Sequence, residues 1–140
     1  MSGGRELTVN FDGASRGNPG RAAIGVVVLA NGTPIRELGE TIGVTTNNVA
    51  EYRALLRGLA EAAALGARAV RIQSDSELVV RQLRGEYKVR SPALAPLHRE
   101  ARARMREFER VSVVHVPREE NARADALANR ALDGADAASR

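Results

Sequence analysis

The sequence has no cysteine and no tryptophan, and aromatic residues make up only 3% of the chain. Without cysteine it forms neither a disulfide nor a thiolate metal site. No apolar run approaches the length of about 18 residues that a membrane-spanning helix requires. The opening stretch, MSGGRELTV, lacks the basic and then apolar pattern of a signal peptide. From these absences we expect a cytoplasmic protein that does not bind membranes.

The length of the chain is typical of one globular domain. Its 140 residues are enough to bury a hydrophobic core. No internal repeat and no interdomain linker is evident, so we expect residues 1–134 to form a single domain. The small and polar end of the chain, GADAASR, predicts a loose C-terminal tail over residues 135–140.

Positive charge is concentrated in one segment. The formal net charge is +4, and residues 81–110 contain nine lysine or arginine residues against four glutamates. This composition is typical of a surface that binds a polyanion. A solvated helix face would have the same composition, so charge alone does not decide between the two.

The stretch LTVNFDGASRGNPG, residues 7–20, is the most informative in the chain. Apolar and polar residues alternate over residues 7–12, which predicts a half-buried strand that ends at Asp12. Glycine and proline then recur over residues 13–20 and predict a loop. A carboxylate beside a glycine-rich loop suits metal and phosphate chemistry. A plain turn capped by Asp12 is the alternative.

Four further segments have the pattern of strands. Residues 22–30 are almost entirely apolar, which predicts a strand buried on both faces. Asn31-Gly32 is a strong hairpin signal, so residues 33–42 should pair back antiparallel. Residues 69–74 and 111–116 predict the fourth and fifth strands. A helix precedes the fourth strand, which indicates that this strand lies parallel to the first.

Apolar periodicity predicts a first helix that begins after an N-cap among residues 45–48 and ends at about residue 65, and further helices over about residues 76–85, 94–108 and 121–132. Glu51 lies one turn before Leu55 on the apolar stripe of the first helix, where a carboxylate is unfavourable unless it is paired or binds a metal. Stabilisation of the helix dipole is the alternative explanation.

Two more acidic residues occupy comparable positions. Asp75 follows the fourth strand as Asp12 follows the first, although it could instead cap the next helix. Asp125 lies on or beside the core-facing stripe of the last helix. If the first and fourth strands are neighbours, Asp12 and Asp75 face each other across one interstrand gap of about 5 Å.

The four carboxylates together need a joint explanation. Two of the carboxylates lie at the ends of strands, and two lie near the beginnings of helices. Groups in these positions collect at one edge of the sheet in folds that combine a sheet with helices. Carboxylate oxygens without cysteine or a histidine cluster select hard cations, Mg²⁺ or Mn²⁺. Two such ions about 4 Å apart activate water and stabilise the leaving oxygen in phosphodiester cleavage.

The sequence closely resembles type 1 ribonuclease H over nearly its full length. The resemblance is carried by FDGASRGNPG around Asp12, TTNNVAEYRAL around Glu51, SDSELV around Asp75 and REENARADALAN around Asp125. No single motif is decisive, but the four occur in the order and spacing of the family.

The resemblance implies both a fold and an activity. The fold is α/β and ribonuclease H-like, a five-stranded mixed sheet of order 3-2-1-4-5 with helices on both faces. The activity is hydrolysis of the RNA strand of RNA–DNA hybrids, leaving 3′-hydroxyl and 5′-phosphate ends. We expect a monomer with two Mg²⁺ ions at its active site during catalysis, and Mn²⁺ as the alternative ion.

The resemblance also assigns residues to roles. Asp12 would bridge both ions, Glu51 and Asp75 would hold the ion on the leaving-group side, and Asp125 the ion on the water side. Six further positions match substrate contacts of the family: Ser15, Asn18, Asn47 and Asn48 at the minor groove, Thr46 at a DNA phosphate, and Glu77 where an amide contacts the RNA in some members.

Two features of the family are absent from this sequence. Only residues 85–92 separate the second and third helices, so the basic insertion that grips the hybrid in well-studied bacterial members is missing. The loop before the last helix has no histidine, and His115 falls in the fifth strand. Without these two features, the sequence resembles a compact branch of the family. Some members of that branch accept double-stranded RNA, so the sequence leaves open whether this protein does.

Two other functions would use the same fold. A binding module would hold a hybrid or duplex without cleaving it, but the presence of all four acidic residues argues against this interpretation. A nuclease that cleaves DNA strands would keep the acidic residues, but we would not expect it to contain TTNN and RGNPG.

Overall fold

The computed structural model describes residues 5–138. Within that range the strands are β1 (Arg5–Gly17), β2 (Gly20–Ala30), β3 (Thr33–Thr45), β4 (Ala67–Ser74) and β5 (Arg110–His115). The helices are α1 (Asn47–Ala64), α2 (Glu77–Leu83), α3 (Ala95–Met105) and α4 (Ala122–Ala138), with a short 3-10 turn at Arg118–Asn121 before α4. None of the described helices is long and apolar enough to cross a membrane.

The strands form one mixed sheet in the order β3-β2-β1-β4-β5. β1, β2 and β3 pair antiparallel through short turns, whereas β4 pairs parallel with β1, and β5 parallel with β4. The predicted strand order and strand directions are therefore confirmed. Parallel pairing brings the carboxyl ends of β1 and β4 towards the same edge of the sheet.

Helices cover both faces of the sheet. On one face, α1 packs its apolar stripe on β1 and β2, and α2 and α3 complete the larger core. On the other face, Ala128 and Leu132 of α4 pack against Ala23 of β2. β2 lies between these layers and is buried over seven consecutive residues, as its unbroken apolar run predicts.

The first strand is longer than its sequence predicts. The predicted glycine-rich loop after Asp12 is wrong, because β1 continues in extended conformation to Gly17 and pairs with β2 up to Gly20. Glycine does not favour a strand interior, but the ladder with β2 satisfies its backbone groups. The chain reverses only at Asn18 and Pro19, and this tip is called the β1–β2 hairpin tip (residues 15–20) below.

The last helix is also longer than predicted. Residues 135–138 were predicted as part of a loose tail, but they belong to α4, which ends at Ala138. Two alanines precede that end, and alanine has the highest helix propensity. Asp136 is anchored by ion pairs with Arg16 and Arg21 on the sheet. The rest of the predicted tail, residues 139–140, lies outside the described residues.

Candidate active site

All four acidic residues singled out in the sequence line one cleft of about 350 Å³. The cleft lies at the edge of the sheet where β4 ends and α1 begins. Its other walls come from β1, α4 and the turns beside them, with Ser15, Asn47, Asn48, Ser76, Arg118 and Asn129 among the lining residues. Carboxylates that are far apart in the sequence thus line the same cleft.

Asp12 and Asp125 come together because the residue paired with Asp12 across the sheet has no side chain. Asp12 pairs with Gly25 of β2. A methyl group on Gly25 would overlap the backbone carbonyl of Ala124, so only glycine lets α4 approach the sheet this closely. This contact brings Asp125, the next residue of α4, to the side of Asp12.

Glu51 is positioned by a second close approach. A methyl group on Gly13 would overlap the backbone of Ala50 and Glu51, so α1 can rest directly on β1 only at a glycine. The Gly13 backbone donates a hydrogen bond to the Glu51 carboxylate. The first turn of α1 contains no acidic residue, which weakens the helix-dipole explanation for Glu51.

Asp75 is free to face the cleft because another residue caps the helix that follows it. The N-cap of α2 is Ser76, whose hydroxyl accepts a hydrogen bond from the Val79 backbone, so the alternative role of Asp75 as the cap is wrong. The Asn121 amide donates to the Asp75 carboxylate at 2.8 Å and to the Phe11 carbonyl at 2.9 Å. Asn121 therefore links the middle of β1 to the residue that follows β4, and it orients Asp75.

Asp125 lies in the first turn of α4, where negative charge is favoured by the helix dipole. One turn later, the Asn129 amide donates to the Asp125 carboxylate at 3.1 Å and to its backbone carbonyl at 3.0 Å. This contact holds the Asp125 side chain on the cleft side of the helix.

The cleft has a strongly unfavourable concentration of negative charge. Asp12 is only 8% exposed, and it lies within hydrogen-bonding reach of Asp125 and Glu51. Burial, and then the charge of Glu51, raise the pKa of Asp12 to about 10. Burial also raises the pKa of Glu51 to about 7, with a contribution from the charge of Asp75. Protons or cations must neutralise part of this charge.

The donor set fits a divalent cation. Every acidic group in the cleft offers hard oxygen atoms, and Glu51 Oε2 is buried without a hydrogen-bond partner. Among residues 5–138, no three acidic or imidazole groups already surround a common point as metal ligands do. Bound cations would therefore replace the close carboxyl–carboxyl contacts around Asp12.

Known proteins match the chain over almost its whole length. The family model described as "Reverse transcriptase-like" matches residues 10–131. Ribonuclease HI of Halobacterium salinarum is 48% identical over 134 residues, which cover 95% of this chain and 67% of that protein. The chain belongs to the type 1 ribonuclease H family. The resemblance and the enzyme class inferred from the sequence are thereby confirmed.

Solved ribonuclease H structures agree with this fold. The N-terminal ribonuclease H domain of Rv2228c from Mycobacterium tuberculosis is 43% identical with a TM-score of 0.91, over 97% of this chain and 99% of that one. The whole bifunctional protein Rv2228c is much longer, and this chain spans 36% of it. LC11-RNase H1 in complex with an RNA/DNA hybrid is 43% identical with a TM-score of 0.87, over 92% of this chain and 98% of that one.

Three of the six expected substrate residues, Ser15, Asn47 and Asn48, lie at the rim of the cleft. Ser15 and Asn47 bind each other, with the Ser15 backbone donating to Asn47 Oδ1 at 2.9 Å and the Ser15 hydroxyl donating at 3.0 Å. The Asn47 backbone in turn donates to Asn18 Oδ1 at 3.1 Å. The β1–β2 hairpin tip and the start of α1 therefore form one polar surface.

The remaining expected contacts are divided between two places. Thr46, Asn18 and Asn48 line a neighbouring pocket of about 280 Å³ together with Ser91. Thr46 is also the N-cap of α1 and accepts a hydrogen bond from the Val49 backbone at 3.3 Å. Glu77 lies outside both the cleft and this pocket, and its exposed carboxylate pairs with Arg81 at 3.6 Å. A role for Glu77 in substrate binding stays a prediction.

Sequence reasoning missed the two asparagines of this ribonuclease H that hold the carboxylates. Asn129 follows Asp125 by four residues in a helix, a spacing that could have indicated the contact. Asn121 had no such signal, because its partners, Phe11 and Asp75, are far away in sequence. His115 lies at the end of β5 as predicted, with its ring exposed and 3.3 Å from the Asp75 carbonyl.

Proposed function

We propose that this ribonuclease H hydrolyses the RNA strand of RNA–DNA hybrids by a two-metal-ion mechanism and leaves 3′-hydroxyl and 5′-phosphate ends. The observation that carries the proposal is the convergence of four carboxylates in one cleft whose rim is lined by serine and asparagine side chains. The similarity to LC11-RNase H1, which has been solved with an RNA/DNA hybrid, supports the choice of substrate.

Asp12, Glu51, Asp75 and Asp125 are the residues that would hold Mg²⁺, or Mn²⁺ as the alternative. When bound, the ions would supply an activated water molecule and charge stabilisation at the leaving oxygen. The chain contributes the placement of these carboxylates. The positions of these carboxylates are fixed before any substrate arrives. Helices approach the sheet closely at Gly13 and Gly25, and the amides of Asn121 and Asn129 bind two of the carboxylates.

The rim of the cleft would select the RNA strand. Serine hydroxyls and asparagine amides both donate and accept hydrogen bonds, so they can bind a 2′-hydroxyl, which distinguishes RNA from DNA. Ser15, Asn47 and Asn48 lie beside the carboxylates, and Asn18 and Thr46 lie one step further away. The RNA strand would then run along the acidic cleft, and the DNA strand would cross the neighbouring pocket.

Basic residues of α3 and of the connector before it would replace the missing insertion. Lys88, Arg90 and Arg99 are exposed. Ser91, in the same connector, lines the pocket beside the cleft. Phosphates of a bound hybrid can therefore meet positive charge along this side of the molecule.

The test is a cleavage assay on three labelled duplexes: RNA–DNA hybrid, double-stranded RNA and double-stranded DNA. Each is incubated with Mg²⁺, Mn²⁺ or EDTA. We expect cleavage of the RNA strand of the hybrid with either ion and none with EDTA. Treatment of the products with phosphatase and ligase identifies the new ends as 5′-phosphate and 3′-hydroxyl.

The result with each duplex distinguishes the proposed function from one alternative. Binding of the hybrid without cleavage by either ion would identify a binding module and reject the enzymatic proposal. Cleavage of double-stranded DNA would identify a DNA-strand nuclease. Cleavage of double-stranded RNA alongside the hybrid would broaden the substrate range without changing the reaction.

A further inference from the structure

The β1–β2 hairpin tip is held from two sides. On one side it contacts the start of α1 through the hydrogen bonds of Ser15 and Asn18 with Asn47. On the other side it contacts the second half of α4, including Asp136 of the predicted loose tail. The second set of contacts lies outside the acidic cleft.

Two aspartates of α4 bind the hairpin through arginine. Arg16 Nη1 lies 2.6 Å from Asp136 Oδ2, and Arg16 Nη2 lies 2.5 Å from Asp133 Oδ1. Arg21, directly opposite Arg16 on β2, also binds Asp136. Two guanidinium groups opposite each other on adjacent strands repel, and Asp136 lies between them and offsets the repulsion.

Asp125, one of the four proposed metal-binding residues, lies on the same face of α4. Asn129 donates its amide to the Asp125 carboxylate, and its backbone carbonyl accepts a hydrogen bond from Arg16 at 3.5 Å. Residues 125, 129, 133 and 136 follow one another at helical spacing, so they share one side of the helix. A continuous set of polar contacts thus runs from Asp125 to the hairpin tip.

These contacts suit positioning better than stabilisation of the fold. Arg16 and Asp136 are 33% and 22% exposed, and Asp133 is 66% exposed. Exposed ion pairs contribute little to stability. They can still restrict a hairpin tip that has no hydrophobic side chain of its own over residues 15–18.

We propose that Asp133 and Asp136 are positioning residues that hold the hairpin tip, with Ser15 and Asn18, at a fixed distance from Asp125. The substrate strand bound by the tip is then aligned with the carboxylates of the cleft. This inference rests on the proposed hydrolysis of hybrids, and it gives the end of α4 a role in substrate alignment.

The test compares steady-state cleavage of an RNA–DNA hybrid by the wild type and by a variant with Asp133→Asn and Asp136→Asn. We expect KM to rise by about three- to tenfold, with kcat within about twofold of the wild type. Asp136→Glu keeps the charge and should leave KM near the wild-type value. Hydrogen exchange at the hairpin tip should be faster in the double variant.

The matched control is Glu61→Gln. Glu61 also accepts hydrogen bonds from two arginines, Arg36 and Arg57, but it lies near the far end of α1. The Glu61→Gln variant should have the KM of the wild type and the same rate of hydrogen exchange at the hairpin tip. An equal rise in KM in this control, or an unchanged KM in the double variant, would overturn the positioning role. Failure of the wild type to cleave the hybrid would instead overturn the proposed function, and this inference with it.

Discussion

Asp12 has a more strongly raised pKa than Glu51, which lies beside it in the acidic cleft. Its pKa is raised from 3.8 to about 10, first by burial and then by the charge of Glu51. Between these two values the folded protein holds a proton that the unfolded chain has released. Stability without a cation therefore falls as pH rises through this range.

Asp12→Asn should separate catalysis from stability. Without the carboxylate, turnover of the hybrid should fall by more than about a hundredfold. In EDTA the same variant should melt at a higher temperature than the wild type at pH 8, because folding of the variant no longer requires Asp12 to take up a proton. Thermal unfolding at pH 5 and pH 9 should show a smaller decrease in Tm with pH for the variant.

The control for Asp12→Asn is Glu107→Gln, which removes an exposed carboxylate at the end of α3. It should change neither turnover nor the pH dependence of Tm. A turnover of the Asp12→Asn variant comparable to that of the wild type would contradict the assignment of Asp12.

Asn121 is the second residue on which the cleft depends. It is 1% exposed and donates to both the Asp75 carboxylate and the Phe11 carbonyl. Asn121→Ala leaves the carbonyl buried without a partner, which should reduce the free energy of unfolding by about 1–3 kcal/mol. Because Asp75 loses its orientation, half-maximal activity should also require more Mg²⁺.

Urea unfolding and a Mg²⁺ titration of activity measure these two effects. If the variant unfolds earlier but keeps the Mg²⁺ dependence of the wild type, Asn121 only supports the fold. The sequence indicated the four acidic residues because two lie at the ends of predicted strands and two lie on or beside the apolar stripes of predicted helices. It could not indicate Asn121, because its partners, Phe11 and Asp75, are far from it in sequence.

At the scale of elements, the contact between α4 and the sheet sets the cleft. Gly25 faces the Ala124 carbonyl, and Gly39 of β3 faces the Leu127 carbonyl in the same way. The helix therefore rests on two glycines, and Asp125 lies between these two contacts. Any side chain at Gly25 must displace the helix.

Gly25→Ala should move α4 away from β1 and separate Asp125 from Asp12. We expect a decrease of about 1–3 kcal/mol in the free energy of unfolding, together with a large loss of turnover. The matched control is Gly134→Ala in the same helix, where nothing lies within 4 Å. It should stabilise the protein by about 0.5–1 kcal/mol and leave turnover unchanged.

Urea unfolding and hybrid cleavage by both glycine variants check this account. Normal turnover of Gly25→Ala would show that the cleft tolerates a displaced helix.

The directions of the first four strands could be predicted from local signals, whereas the strand order 3-2-1-4-5 is implied by the resemblance to type 1 ribonuclease H. The Asn31-Gly32 turn fixes the antiparallel hairpin, and the helix that precedes β4 indicates that β4 runs parallel to β1. The full lengths of β1 and α4 could not be predicted. Both lengths depend on partners outside the segment itself. Pairing with β2 keeps β1 extended through Gly13 and Gly17, and an ion pair with Arg16 anchors the end of α4.

At the scale of the whole molecule, charge is divided between an acidic cleft and a basic flank. The net charge is +4, although the acidic cleft is lined by four acidic residues. Hybrid binding should therefore depend on phosphates meeting lysine and arginine, with release of counterions. The logarithm of the binding constant should fall linearly with the logarithm of salt concentration, with a slope of about −0.9 for each phosphate contacted.

Fluorescence anisotropy with Asp12→Asn measures this slope without cleavage. A variant with Lys88→Gln and Arg90→Gln should have a slope shallower by about two units if both residues contact phosphates. Arg68→Gln, at the opposite end of the sheet and paired with Glu109, is the control and should keep the slope of the parent. A slope unaffected by the connector variant would show that the connector does not contact the hybrid.

The central claim is that side chains from β1, α1, β4 and α4 form one cation-binding centre. Titration of Mn²⁺, followed by electron paramagnetic resonance, tests it most directly in the wild type and in the single variants Asp12→Asn, Glu51→Gln, Asp75→Asn and Asp125→Asn. We predict that the wild type binds at least one Mn²⁺ and that each substitution weakens this binding. A wild type that binds none, or variants that all bind as tightly as the wild type, would contradict it.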